Sequence, residues 1–174
     1  MTAARATAVD QRPRSDVEAR RSLAGTLVHR LFERFGATLR SAANTQAIEA
    51  ELARLIRDEE AVEAGDVVRL FRHTSDAYLA LCATPALVDA LESGEALFEV
   101  PFSVRPASHE LILRGTFDCL IHRRDGGITV LELKTGKPVP EHERQLATYL
   151  LAARALFPGT TVDGTLVYAE PRTV

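Results

Sequence analysis

The sequence has no tryptophan, one methionine and only two cysteines, Cys82 and Cys119. Two thiols cannot build a disulfide framework, a zinc site of paired CxxC units or a four-cysteine iron–sulfur cluster, so no iron–sulfur cluster is expected and a reducing cytoplasm fits best. No run of 18 apolar residues occurs, and the first 22 residues are Arg-rich without an apolar stretch. Neither a membrane-spanning helix nor a secretory signal is therefore expected. A net charge of -3 leaves no basic field covering the whole surface, so any contact with nucleic acid must be local or shared with a partner. Lysine is also scarce, because 19 of the 21 basic residues are Arg and only Lys134 and Lys137 remain. A lysine kept against that background marks a place where a compact ammonium serves and a planar guanidinium does not, although chance could also leave two.

What is present describes a soluble globular chain of 174 residues, 46% hydrophobic and 26% charged, long enough to bury roughly 70% of its unfolded surface as one domain. Residues 1–14 lack periodicity and read as a disordered lead to a domain over 15–174. Leu23, Leu27, Leu31, Phe35 and Leu39 recur at helical spacing, predicting a helix from Asp16 to about Arg40. Ile48, Leu52, Leu55 and Ile56 predict a second from Thr45 to about Glu63, closed by Gly65. Ser75 is positioned to cap a third through Ala83, and Pro85 to open a fourth to Leu91, making residues 15–93 helical.

The pattern changes at Gly94. Ala96–Val104, Leu111–His122 and Ile128–Lys134 read as an antiparallel three-stranded meander. A helix from about Glu141 to Phe157 then crosses over, with Leu146, Leu150, Ala153 and Phe157 as its core stripe, and Val162–Ala169 returns as a strand parallel to an earlier one. The fold class is α/β (α+β), with an α/β core over 94–174. If Asp125-Gly126-Gly127 forms a three-residue loop, Arg124 pairs with Ile128, Leu120 faces Glu132 and Asp118 faces Lys134. Asp118 and Glu132 are then diagonal neighbours on one face, about 7 to 8 Å apart at the backbone. A two-residue loop would separate them onto opposite faces.

Two carboxylates and a lysine on one face also describe a solvated surface whose Asp–Lys pair is worth well under 1 kcal/mol. The neighbours bear on the choice. Asp118 lies among Phe117, Cys119, Leu120 and Ile121, where a carboxylate without a cation is costly. Convergent carboxylates are ligands that Mg²⁺ favours, and an ammonium two residues from one of them can steady charge developing on a phosphate.

Gly115-Thr116-Phe117-Asp118, Glu132-Leu133-Lys134-Thr135-Gly136 and Gln145-Leu146-Ala147-Thr148-Tyr149 together resemble the signature of the PD-(D/E)xK nuclease superfamily in its RecB-like branch. Gly25-Thr26-Leu27-Val28-His29 is similar to the His-bearing helix of that branch, and Glu99-Val100-Pro101-Phe102 to the strand before its catalytic hairpin. The motifs stand in family order between Gly25 and Tyr168. The resemblance implies a restriction-endonuclease-like core and a Mg²⁺-dependent deoxyribonuclease, with Mn²⁺ able to substitute. It implies that His29, Asp118, Glu132 and the Leu133 carbonyl ligate the metal and that Lys134 is the catalytic lysine. Gln145 and Tyr149 share a helix face and would orient Lys134 or touch a phosphate, while a half-buried core aromatic is an equal account of Tyr149. Outside the family context His29 would read as an ordinary helix-surface histidine, and Glu99 could be an exposed rim residue.

Arg114, Lys137 and Arg144, with Arg105, Arg123 and Arg124, are candidate DNA-backbone contacts, although Lys137 also reads as a solvated turn lysine. The resemblance lies closest to the C-terminal nuclease domain of RecB and AddA helicase-nucleases. It implies DNA as partner, a helicase domain or subunit, exonuclease action and a setting in recombinational repair. Rival readings are a non-catalytic module binding DNA or a helicase, and a stand-alone nuclease of a mobile-element or defence system.

Overall fold

A computed structural model describes residues 16–39, 45–107 and 112–169, with side chains from Leu23 onward. The lead over residues 1–14 and the predicted strand start at Leu111 lie outside the described residues. Among the described residues five helices come first: α1 Asp16–Phe35, α2 Thr45–Leu55, α3 Asp58–Ala64, α4 Val67–Cys82 and α5 Pro85–Ser93. Strands β1 Gly94–Val104, β2 Leu113–Arg123 and β3 Ile128–Lys134 follow, then α6 Pro140–Leu156 and β4 Val162–Tyr168. The sheet order is β1-β2-β3-β4, antiparallel through β3, with β4 parallel to β3 after the α6 crossover. The α/β class, meander and crossover are thus as the sequence predicts.

One face of the sheet packs on the helical half. Leu27, Leu31 and Phe32 of α1, Ile48 and Leu52 of α2 and Tyr78 of α4 join Cys119, Ile121, Leu131 and Leu133 in one core. The opposite face packs on α6, where Leu120, Ile128, Val130 and Val162 meet Ala152 and Ala153. The crossover helix lies close because β4 carries Gly164, where a Cβ would sit 2.8 Å from the Val130 carbonyl oxygen and 2.9 Å from Leu150.

Three predicted boundaries in the helical half differ. Helix α1 stops at Phe35, five residues early, because Gly36 takes φ 52° and its N–H closes onto the Phe32 carbonyl at 2.8 Å. The predicted second helix is two helices. Arg57 is extended at their junction, its N–H donating to Glu60 Oε2 at 3.0 Å. Arg30 of α1 fixes that break, donating twice to Glu60 at 2.7 Å and once to the Leu55 carbonyl at 3.1 Å. Ser75 is no cap but is buried within α4, which starts eight residues earlier with Asp66 accepting from the Arg69 N–H at 2.9 Å.

Candidate active site

The β2–β3 hairpin has an odd loop, displaced by one residue from the predicted one. Arg123 N–H donates to the Gly127 carbonyl at 2.9 Å, leaving Arg124-Asp125-Gly126 as the three-residue loop with Gly126 at φ 85°. The pairs run His122↔Ile128 to Cys119↔Leu131 rather than Arg124↔Ile128. One step further, the same register sets Asp118 opposite Glu132, where the sequence predicts a diagonal relation. The odd loop length preserves the parity of the pairing, so Asp118 and Glu132 remain cross-strand neighbours close enough for Glu132 to act electrostatically on Asp118.

Beyond Cys119↔Leu131 the β2–β3 ladder gives way to a side chain. Asp118 Oδ2 accepts the Leu133 N–H at 2.7 Å. The carbonyl of the next residue, Lys134, turns the other way and accepts from Ala169 N–H beyond β4 at 2.8 Å. In an extended strand one residue's N–H and C=O point to the same edge, so the Leu133 carbonyl faces β2 and Asp118.

A second irregularity lies across from Asp118. The β1–β2 register passes from Phe98↔Cys119 to Val100↔Phe117, with Glu99 opposite Asp118 and unpaired between them. Glu99 has φ 51°, a left-handed conformation costing an L-residue about 1 kcal/mol or more. Its effect is visible in the packing. Ala96 and Phe98 join the helical-side core, whereas Val100, Phe102 and Val104 join the α6-side core. On β2, Cys119 and Ile121 face the helices while Phe117 faces α6. A regular strand would keep alternate residues on one face. Both strands switch faces at Glu99 and Asp118, and the switch delivers those two carboxylates to His29.

On α1, His29 stands on the side next to the Leu27–Leu31 core stripe. Its Nδ1 is 2.7 Å from Glu99 Oε1 and 3.5 Å from Asp118 Oδ1. Donor atoms of His29, Glu99 and Asp118 lie within 4.8 Å of one another. Glu132 approaches from β3, its side chain 1% exposed, with Oε1 accepting from Lys134 Nζ at 2.6 Å. Its Oε2 is buried without a hydrogen-bond partner among the described residues. Lys134 Nζ also donates to Gln145 Oε1 at 3.0 Å, and Gln145 Nε2 donates to the Tyr149 hydroxyl at 3.2 Å. The Tyr149 ring stands edge-on to Phe102 and Phe117, at 5.5 and 5.7 Å between centroids.

The electrostatics follow from burying like charges together. Burial, then repulsion from Glu132 and Glu99, outweighs His29 and the Leu133 N–H and raises Asp118 from 3.8 to about 7. Glu132 is also raised, by burial working against Lys134. Burial opposes charge on His29, but the Glu99 hydrogen bond and the Asp118, Glu99 and Glu132 carboxylates prevail, and its pKa rises. Burial lifts Cys119 to about 12, an inert thiol. Three carboxylates around one lysine and one imidazole, with a buried oxygen lacking a partner among the described residues, make a donor set that fits a hard divalent cation.

The remaining candidates lie outside this cluster. Arg105, Arg114, Lys137 and Arg144 are exposed. Arg123 is held by Asp125 and Asp163, and Arg124 by the Glu92 carbonyl at 2.7 Å. Those two arginines sit at the hairpin tip, roughly 17 Å or more along β2 from Asp118, away from the cluster. Sequence reasoning missed a pair near Lys134: His142 Nδ1 is 3.0 Å from the Tyr168 hydroxyl, and Tyr168 is level with Lys134 across the β3–β4 pair. The available signal was the spacing of His142, Gln145 and Tyr149, which places all three on one side of α6.

Among the described residues no helix is long and apolar enough to cross a membrane. No curated protein matches the chain. Among solved structures, the crystal structure of protein VC1899 from Vibrio cholerae is similar at 12% identity and a TM-score of 0.38. The match covers 88% of this chain and 48% of that one, so the chain spans about half of that protein's length. A family profile described as the PD-(D/E)XK nuclease superfamily matches residues 3–173. With that profile running almost end to end, the chain belongs to the PD-(D/E)XK nuclease superfamily.

Proposed function

We propose that the protein is a Mg²⁺-dependent deoxyribonuclease, with Mn²⁺ able to substitute, that hydrolyses phosphodiester bonds at DNA ends. Membership of the superfamily supports a metal-dependent nuclease. The observation that carries the reading for this chain is the Lys134 ammonium, held between Glu132 Oε1 and Gln145 Oε1 beside a buried oxygen of Glu132 that has no partner among the described residues.

Asp118, Glu132, the Leu133 carbonyl and His29 would hold the cation. Once bound, it supplies a Lewis acid that lowers the pKa of water and neutralises charge on the phosphate. Lys134 places a positive charge where negative charge grows on the phosphate oxygens, and its compact ammonium fits the space between Glu132 and Gln145. Gln145 positions Lys134, and Tyr149 positions Gln145 through a ring fixed against Phe102 and Phe117. Arg114, Lys137 and Arg144 are exposed cations for the DNA backbone.

The RecB-like assignment rests on the order of the His29, Asp118, Glu132–Lys134 and Gln145–Tyr149 motifs. Exonuclease action, a helicase domain or subunit as partner, a role in recombinational repair and a cytoplasmic location extend that resemblance. The test is end-labelled linear DNA and a circular counterpart incubated with purified protein and Mg²⁺ or Mn²⁺, beside Lys134→Ala. Cation-dependent loss of linear DNA by wild type, and at least 100-fold slower loss by Lys134→Ala, is the expected result. Cleavage of circles at the same rate removes the exonuclease assignment. DNA retained in a gel shift without cleavage by either protein replaces the enzyme with a binding module.

A further inference from the structure

Beside Lys134 lies a hydrogen-bonded pair that takes no part in holding the cation or the lysine. His142 Nδ1 of α6 is 3.0 Å from the Tyr168 hydroxyl of β4, with the rings tilted at 5.7 Å between centroids. Two independent features of the fold bring the pair to Lys134. Tyr168 is level with Lys134 in the parallel β3–β4 register, and level residues of neighbouring strands stand on one face about 4.8 Å apart. That face is the α6 side, since Leu133 and Val167 pack into the core on the opposite side. His142 is three residues before Gln145, whose Oε1 accepts from Lys134 Nζ, and residues so spaced on a helix are neighbours. Tyr149, Gln145 and His142 thus form one row along α6, running from the Phe102 and Phe117 rings past Lys134 to the first turn of the helix.

The internal bond leaves the pair one donor. A phenol is the stronger acid and an imidazole nitrogen the stronger base, so the Tyr168 hydroxyl donates to Nδ1 and the ring proton sits on Nε2. Burial and the neighbouring Lys134 charge hold His142 below its ordinary pKa, which keeps the imidazole neutral at pH 7 and preserves that tautomer. The Nε2 atom has no hydrogen-bond partner among the described residues, and both side chains are half-buried, fixed by packing yet still reached by solvent. An N–H without an acceptor, next to an ammonium, fits an anionic oxygen. The acid of the same turn, Glu141, is offset by Arg144 at 3.7 Å. Successive phosphates of one DNA strand rise by about 3.4 Å, comparable with the strand spacing that separates Tyr168 from Lys134. With Lys134 at the scissile phosphate, the pair stands one nucleotide step away.

We propose that His142, oriented by Tyr168, binds the phosphate adjacent to the scissile one and so positions the DNA strand at Lys134; this rests on the nuclease reading above. The experiment follows, at nucleotide resolution, cleavage of an end-labelled duplex carrying one uncharged methylphosphonate on either side of the measured bond, by wild type, His142→Ala and His142→Asn. Asparagine offers the Tyr168 hydroxyl an acceptor near the Nδ1 position but has no atom in place of Nε2, so it keeps the α6–β4 contact and loses the donor. On unmodified DNA both variants should raise KM at least about tenfold, the value of a hydrogen bond to a charged group, with kcat within about twofold of wild type. In wild type the methylphosphonate at one flanking linkage should raise KM by the same factor, and in the variants it should add nothing. A pair that only clamps α6 to β4 would lower kcat or Tm in His142→Ala, be rescued by His142→Asn, and leave the variants as sensitive to the neutral linkage as wild type; that outcome overturns the proposal. Fluorescence anisotropy on the same duplexes separates the two readings. If no protein cleaves yet the coupling appears in Kd, the phosphate contact stands and the nuclease falls. Cleavage without coupling at either flank removes the contact and leaves the nuclease, and absence of both removes both.

Discussion

Replacing Asp118 by Asn should stabilise the metal-free protein at pH 8 while removing most of its response to a divalent cation. The Asp118 side chain is 9% exposed, and burial with nearby carboxylates raises its pKa from 3.8 to about 7. In the unfolded chain the group ionises near its ordinary value. Across the window from 3.8 to about 7 the folded state therefore keeps a proton that the unfolded state has released, and stability falls as pH rises. Below that window the penalty is absent, and above it the penalty is complete at roughly 4 kcal/mol, from about 1.36 kcal/mol per pH unit. Asparagine keeps the shape and an oxygen for the Leu133 N–H but carries no charge. Set against the lost attraction to His29, a net gain of about 1 to 3 kcal/mol is expected, or about 3 to 10 °C in Tm for a chain of this size. Thermal unfolding by circular dichroism in EDTA at pH 8 and pH 5 measures it, with the advantage of Asp118→Asn shrinking by more than half at pH 5. Adding Mn²⁺ at pH 8 should raise wild type well above the variant. A variant less stable than wild type at pH 8, or a difference independent of pH, would refute the account of a site whose buried carboxylates are unfavourable until a cation arrives.

Away from the site, Glu60→Gln should cost about 1 to 2 kcal/mol in urea unfolding at pH 7, since it removes the paired hydrogen bonds with Arg30 that bridge α1 to the α2–α3 junction. Arg30 lowers Glu60 from 4.5 to about 2, so this contribution is complete above 4.5 and is lost as pH falls toward 2. The cost of the substitution should accordingly be more than halved at pH 3. Gly164→Val places a side chain against the Val130 carbonyl and Leu150, and a loss of about 1 to 3 kcal/mol is expected with Mn²⁺ affinity unchanged. Tyr149→Phe keeps the ring contacts and removes only the hydroxyl that accepts from Gln145, so kcat should fall about fivefold, equivalent to roughly 1 kcal/mol, with KM unchanged.

The elements with strong periodicity were legible in the sequence, and so was the parity of the hairpin, because a three-residue loop keeps Asp118 and Glu132 cross-strand neighbours wherever its closing pair falls. The closing pair itself was not legible. Arg123-Arg124-Asp125-Gly126-Gly127 offers two successive three-residue loops, and the structure takes the one that puts Gly126 at positive φ and lets Arg123 reach Asp163 on β4, a contact distant in sequence. The break at Arg57 and the early start of α4 share that origin. Arg30 selects the first across 30 residues, while Asp66 capped the second in plain view just after Gly65. Glu99 is the most instructive case. Alternation along Ala96–Val104 implies one continuous strand with a glutamate on a fixed face, and no local signal marks a non-glycine residue for a left-handed backbone. The cause lies across the sheet. Asp118 gives its side chain to the Leu133 N–H where a backbone pair would otherwise form, β2 changes face there, and β1 can stay paired to it on both sides only if Glu99 turns over as well. The strain at Glu99 and the convergence of three carboxylates are thus one structural event, which is why the site becomes visible only when both strands are seen together.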